Sequence, residues 1–456
     1  MTSPVGTLLL LGASGDLAGR LLLPAYGDLL DAEPERRAIV LVGAGVEDWD
    51  EETWRERVRT SFTAGKVSQE TTDAVLATTR YQRTDVTSSD EMRTLVGSCQ
   101  GAPAIYFALP PAITVRSCTA LKEVELPAGT ALVLEKPFGT DQAGAVALNA
   151  LLTDLVPEAQ VHRVDHFLGR SNVLNLLGLR FANRLFEPLW NNQHIDRVDI
   201  VFDEDLTLEN RARYYDQAGA LVDMIQSHLL QVLALVAMEA PATAGAVDLR
   251  DAKATVLRAC QLWGDDPATA GRRARYTHGS VDGRETPDYT AEPGVDASRN
   301  TETLAELTLE VRNWRWAGVP FRLRSGKALS VHRKEALITF KPVPHLPLGM
   351  SGDCAPTQLR ISMGPDRVNL GMNVNGPGDP LELDRVEMSA DFGAGRLPAY
   401  GEVLAGVLDG DPLLSVRGDT AEECWRIVDP VLQAWRQDET PLDTYPVGSA
   451  GPADWT

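Results

Sequence analysis

The chain has 456 residues, 44% of them hydrophobic and 23% charged, with a formal net charge of −21. That is the make-up of a globular protein long enough for two or three domains. So acidic a balance argues against nucleic acid or anionic membrane as a partner, and no apolar run approaches the roughly 18–20 residues of a membrane span. Five scattered cysteines (Cys99, Cys118, Cys260, Cys354, Cys424) form no CxxC spacing. They support neither a zinc site nor a disulfide framework, and a reducing cytoplasm is the simplest setting. No metal site is expected. Only seven of the 43 basic residues are lysines, which draws attention to Lys136 and Lys327.

The N-terminal stretch MTSPVGTLLLLGASGD has a short apolar run, no basic flank and an immediate turn. It reads as a buried strand, not a signal peptide. Leu17–Leu30 reads as a helix with apolar positions at Leu21, Leu22, Pro24 and Leu29. AIVLVGAG (38–45) is a second buried strand. Residues 47–62 read as an amphipathic helix opened by acids, as the helix dipole favours. TRYQRTDV (79–86), PAIYFALPP (103–111) and TALVLEKPFG (130–139) are further strands. Strands separated by helices predict a doubly wound parallel sheet. Ligands bind such sheets at the carboxyl ends of the strands, where Gly12–Gly15, Pro110–Pro111 and EKPFG fall.

After about residue 165 the rhythm changes, which predicts a dinucleotide-binding domain over 1–165 and a second, α+β domain over 166–456. RSNVLNLLGLRFANRLFEPLWNN (170–192) reads as helix, and HIDRVDIVFDED (194–205) alternates as a strand. GALVDMIQSHLLQVLALVAME (219–239) reads as a strong helix, too polar at Asp223, Gln226, Ser227, His228 and Gln231 to span a membrane. Gly264–Asn300 reads as a surface excursion. TLAELTLEV, EALITFK and QLRISMG alternate with a period of two and predict a large, mainly antiparallel sheet.

The spacing Gly12-x-x-Gly15-x-x-Ala18 approximates the dinucleotide fingerprint G-x-G-x-x-G/A. Helix N-terminal N–H groups aimed at a pyrophosphate give it a physical basis, and Ser14 adds a hydroxyl. The same spacing also serves an ordinary tight turn. At the end of the second strand, where an arginine would meet a 2′-phosphate, stand Val46, Glu47 and Asp48. That leans toward NAD over NADP, with Arg20 the nearby cation.

Three stretches carry chemistry: HRVDHFLGR (162–170), YYDQAGALVDMIQSHLLQ (214–231) and VPFRLRSGKAL (319–329). Singly, each reads as a packed histidine or a solvated basic loop. Together they suit alcohol oxidation by hydride transfer, which needs an imidazole base oriented by a carboxylate and cationic donors for an anionic tail.

From GASGDLA through EKPFG, RVDHFLG, FEPLWNNQHID, the YYDQAG helix and VPFRLRSGKAL to RIVDPVLQAW, the sequence resembles the glucose-6-phosphate dehydrogenase family nearly end to end. The resemblance implies a Rossmann domain followed by an α+β domain whose large sheet supports a homodimer or homotetramer. It implies His228 as the general base and Asp165 as its carboxylate partner. His166, Arg170, Lys136, Glu204, Asp223 and Lys327 become substrate contacts. Gly12, Ser14, Gly15, Asp16, Leu17, Arg20, Pro110 and Lys136 become contacts to NAD or NADP.

Departures from the family pattern are specific. RIDHYLGKE reads RVDHFLGRS, so Tyr and Lys become Phe167 and Arg170. GDLAKRK reads GDLAGRL, placing Gly19 and Leu21 where lysines stand. The arginine after the second strand is Val46. GALRDM has Val222 for Arg, NHLLQ has Ser227 for Asn, and the basic position after RSGK reads His332-Arg333. Alternatives are therefore a dehydrogenase of another hexose phosphate or of an unphosphorylated sugar, or a non-catalytic paralogue. Intact Asp165 and His228 speak against the last.

Overall fold

The structure, a computed structural model, describes residues 5–209, 212–281, 283–393 and 395–455. The chain divides into two units: residues 1–171, 241–251 and 395–422, and residues 172–240, 252–394 and 423–456.

In the first unit the apolar runs form strands β1 (Val5–Leu11), β2 (Val40–Gly45), β3 (Arg80–Arg83), β4 (Ala102–Phe107), β5 (Ala131–Glu135) and β6 (Val161–Val164). They pair in parallel in the order β6-β5-β4-β1-β2-β3. A two-residue strand, Ser415–Val416, adds antiparallel to β6. The core joins Leu8, Leu10 and Leu41 of the sheet to Tyr26, Leu29, Trp54 and Phe62 of covering helices. The predicted helix at Leu17–Leu30 is a π-wound turn at Ala18–Leu22 continuing into the α-helix Leu23–Ala32. Leu21 faces solvent at 46% exposure, so it is not a core position. The next helix starts at Glu51, not 47, because the Asp50 carboxylate accepts the Thr53 N–H at 2.8 Å and caps it there.

The second unit holds one large mixed sheet, mainly antiparallel. Its order is Ser351–Gly352, Glu382–Asp391, Arg367–Asn375, Gln358–Ser362, Lys334–Phe340, β7 (Ile195–Asp203), Pro320–Gly326, Leu304–Val311, Gly271–Thr277 and Leu442–Pro446. Two expectations need correction. Gly271–Thr277 is no surface excursion: it pairs with Leu304–Val311 and Leu442–Pro446. Its arginines are compatible with a sheet because Arg273 Nη2 donates to the Thr440 carbonyl at 2.8 Å and Arg272 pairs with Glu306. The helix expected over 170–192 is helical at Ser171–Phe181, with a short 3₁₀ turn at Glu187–Leu189.

The helical run from Ala212 to Ala237 packs on the sheet, and 94% of its most apolar window is buried. By length and composition it could cross a membrane; its burial makes it a core helix. Its far end is tied down by the indoles of Trp190 and Trp316, which donate to the carbonyls of Val236 and Ala237 at 2.8 Å each.

Candidate active site

β1 ends on Gly12, which has φ of +80° and donates its N–H to the Ala44 carbonyl at 2.8 Å. A Cβ there would stand 2.3 Å from the Ala108 carbonyl oxygen. Only glycine fits, because the turn is pressed between the ends of β2 and β4. Gly15 donates to the Gly12 carbonyl at 3.0 Å, and its own carbonyl accepts the Gly19 N–H, which starts the helical winding. This backbone, with the Ser14 hydroxyl, fits a dinucleotide pyrophosphate. Asp16 and Arg20 pair at 3.2 Å on the open surface, each 75% exposed, and Leu17 is half-buried beside them. Pro110 ends the turn after β4, and its carbonyl accepts N–H bonds from Ile113 and Thr114.

Sequence reading missed a cation here. Arg57 reaches over Gly19 and donates from Nη2 to the carbonyls of Gly15 at 2.8 Å and Ser14 at 3.3 Å. A Cβ on Gly19 would lie 2.2 Å from that nitrogen. The bare Gly19 leaves the space that the Arg57 guanidinium fills. Only the bare glycine hinted at it. At the end of β2, Val46 is 62% exposed, and the Tyr81 hydroxyl donates to the Glu47 carbonyl at 3.1 Å.

β5 and β6 deliver the remaining candidates of this unit. Lys136 follows β5 directly, half-buried. After β6 the chain turns on Asp165, whose Oδ1 accepts the Phe167 N–H at 3.0 Å and whose carbonyl accepts that of Leu168. Asp165 is buried, and its neighbour His166 is half-buried. Phe167 is buried with the Arg170 guanidinium 4.4 Å above its ring. The Phe167 and His166 rings meet edge-to-face with centroids 5.2 Å apart, and Tyr400 stacks on His166 at 5.4 Å and 14°. Glu135, the last residue of β5, accepts hydrogen bonds from Tyr106 and Tyr400. Burial pushes its carboxyl up to about 7 against those bonds and the Lys136 charge.

In the second unit β7 delivers Glu204. Its carboxylate accepts a hydrogen bond from Lys327 Nζ at 2.9 Å. The Glu204 N–H donates to the Gly326 carbonyl, and its own carbonyl accepts from Leu329. Lys327 also lies 5.2 Å over the Tyr215 ring. Asp223 and His228 are buried on Leu221–Leu229, which is π-wound. An α-helix would turn residues five apart by about 140°. The i→i+5 bonding of a π turn brings such residues round toward one face, and Asp223 and His228 are five apart. Tyr214 donates to Asp223 at 3.3 Å. The run kinks at Gly219, φ +66°, where a Cβ would meet Glu302 at 2.3 Å; Glu302 Oε1 instead accepts the Leu221 N–H at 2.9 Å. The basic pair after RSGK is engaged by carboxylates: His332 with Asp205 at 2.7 Å and Arg333 with Asp203 at 3.0 Å.

The candidates therefore fall into two sets. Lys136, Asp165, His166, Arg170 and the glycine turn belong to the first unit, and Glu204, Asp223, His228 and Lys327 to the second. Tyr106, Glu135, Tyr400, Tyr214, Tyr215 and Arg57 are the partners that motif reading did not single out.

Comparison with known proteins matches both units. A family model described as glucose-6-phosphate dehydrogenase, NAD binding domain, matches residues 9–175, and one described as the C-terminal domain matches residues 177–456. A glucose-6-phosphate 1-dehydrogenase of Treponema pallidum is 38% identical, covering 98% of this chain and 92% of its own length. That of Rhizobium meliloti is 36% identical, covering 97% and 93%. The solved enzyme from Mycobacterium avium superposes with a TM-score of 0.87 at 33% identity, over 99% of this chain and 96% of its own. A glucose-6-phosphate dehydrogenase solved with its substrate glucose 6-phosphate gives 0.89 at 28%, with the same coverage.

Proposed function

This chain belongs to the glucose-6-phosphate dehydrogenase family, and from that premise we propose that it oxidises glucose 6-phosphate at the anomeric carbon to 6-phosphogluconolactone. The observation that carries the reading is the match to the family over nearly the whole chain; within it we assign His228 as the base and Asp165 as its carboxylate partner. A nicotinamide dinucleotide, when bound, supplies the hydride acceptor. Gly12, Ser14, Gly15, Asp16, Leu17, Arg20, Pro110 and Lys136 are the residues we assign to hold it.

His228 takes the proton of the anomeric hydroxyl at its imidazole nitrogen. The Asp165 carboxylate stabilises the imidazolium that results. His166, Arg170 and Lys327 bring positive charge to the phosphate end. Glu204 and Asp223 accept sugar hydroxyls. Their anchoring by Lys327 and Tyr214 limits the rotamers that substrate has to organise. Lys136 serves substrate and cofactor together. A buried Phe167 offers no hydroxyl to the phosphate, so Arg170 above its ring supplies the grip instead.

NAD is the cofactor we assign. Val46 offers no cation to a 2′-phosphate, and Glu47 follows it. Val46→Arg, at an exposed position, should raise the NADP/NAD ratio of kcat/KM about tenfold, the worth of one charge-assisted hydrogen bond; an unchanged ratio removes the assignment. Gly19→Lys is a companion change that requires the tip of the Arg57 side chain to move aside. We further propose a cytoplasmic homodimer or homotetramer. The exposed strand Glu382–Asp391, with Val386 and Met388 outward and the exposed Phe392 just after it, supports self-association, and sedimentation tests it.

The deciding experiment is initial rates with glucose 6-phosphate and with glucose, each with NAD and NADP. Turnover of glucose 6-phosphate favouring NAD supports the whole reading. Activity on glucose alone transfers it to an unphosphorylated sugar, and silence in all four assays to a non-catalytic paralogue.

A further inference from the structure

We propose that Tyr400 is a positioning residue for His166: its ring fixes the plane of the imidazole, and its hydroxyl is anchored by Glu135. The inference rests on the proposed role of His166 toward the substrate phosphate.

The geometry is continuous through the first unit. The Arg170 guanidinium lies over Phe167, Phe167 meets the His166 ring edge-to-face at 66°, and Tyr400 stacks on His166 at 14°. A ring stacked on one aromatic neighbour and tilted against a second has its plane fixed. Tyr400 comes from Ala399–Asp409, a helix far along the chain that starts after Pro398. Two contacts hold that helix start in place. Gly169 lies so close beneath it that a Cβ would stand 2.4 Å from the Ala399 carbonyl oxygen. The Tyr400 hydroxyl donates to Glu135, which also accepts from Tyr106.

A half-buried carboxyl engaged by two tyrosine hydroxyls is a costly device, since burial disfavours its charge. Nothing in hydride transfer requires Glu135 itself. Its contacts lead instead to Tyr400 and through it to His166. The sugar-phosphate end thus has an oriented imidazole where Phe167 cannot supply a hydroxyl.

The test uses full-length enzyme labelled with ¹⁵N-histidine, in Tyr400→Leu, Tyr400→Phe and Glu135→Gln, with His166→Gln assigning the His166 signals. Tyr400→Leu should shift the His166 ring resonances and titration midpoint. It should raise KM for glucose 6-phosphate about five- to tenfold, the worth of an aromatic pair, with kcat and cofactor KM within about twofold. Tyr400→Phe and Glu135→Gln keep the stack but loosen its anchor, and should give the same pattern more weakly; they also serve if the leucine variant does not fold. Unmoved His166 signals in all folded variants overturn the proposal. So does a fall in kcat and cofactor binding as large as the rise in substrate KM, the mark of general structural damage. If the His166 signals move and KM for glucose 6-phosphate does not, the positioning stands and the phosphate role of His166 fails.

Discussion

In the first unit, β2 and β4 are buried along their whole length, and β1 everywhere except Gly6. In the second, Gln358–Ser362 buries alternate residues and Glu382–Asp391 lies almost wholly exposed. A parallel sheet covered by helices on both faces must be apolar throughout, whereas an antiparallel sheet can leave one face to water. The second sheet fills a face with paired charges: Arg322 with Asp199 at 2.6 Å, Arg324 with Asp203 at 3.2 Å, and Arg333 with Asp203 at 3.0 Å. The first unit therefore depends on close approach of apolar groups and backbone, and the second on each charge keeping its partner.

Five changes probe that contrast. The largest effect belongs to the second unit's chemistry. His228→Asn should cut turnover between about a hundredfold and ten-thousandfold with an unchanged melting transition; retained activity removes the base assignment. Next, Asp203→Ala takes the carboxylate from the buried Arg324, which keeps its bond to the Ala450 carbonyl, and should destabilise by about 3 kcal/mol in urea unfolding. Asp391→Ala, which breaks the exposed pair with Arg367, should leave the midpoint in place. Equal effects from the two would erase the distinction between buried and exposed pairs.

Gly12→Ala probes the first unit, where backbone strain and the clash with Ala108 should cost about 2–3 kcal/mol and weaken dinucleotide binding in a fluorescence titration. The remaining probe is a pH limb. Burial pushes His162 down to about 4, below its unfolded value of about 6.5. The unfolded chain binds the proton first as pH falls, so stability declines from pH 6.5 toward 4 by up to about 3 kcal/mol. His162→Leu should flatten that part of the stability–pH profile, and an unaltered profile would show that His162 is not buried neutral.

The parallel strands were legible because burial on both faces demands unbroken apolar runs, which GTLLLL and AIYF display. Gly12 was legible because a strand running into Gly-Ala-Ser-Gly needs a turn that only glycine allows. Gly271–Thr277 was not, because GRRARYT reads as polar until the facing Glu306 and the Thr440 carbonyl are known. The winding of Leu221–Leu229 was hidden too, since α and π turns share one apolar composition.

By itself, the sequence determined the alternation of parallel strands and helices through β5, the glycine turn and the family, with His228 and Asp165 as the residues to weigh. Each of these depends on local pattern or on motifs within a few residues. Tertiary structure alone decided that Arg57 lies over Gly19, that Glu302 seals the kink at Gly219, and that Tyr400 returns from beyond residue 395 to stack on His166. These contacts join segments tens to hundreds of residues apart. Their partners are chosen by packing, which no local periodicity encodes.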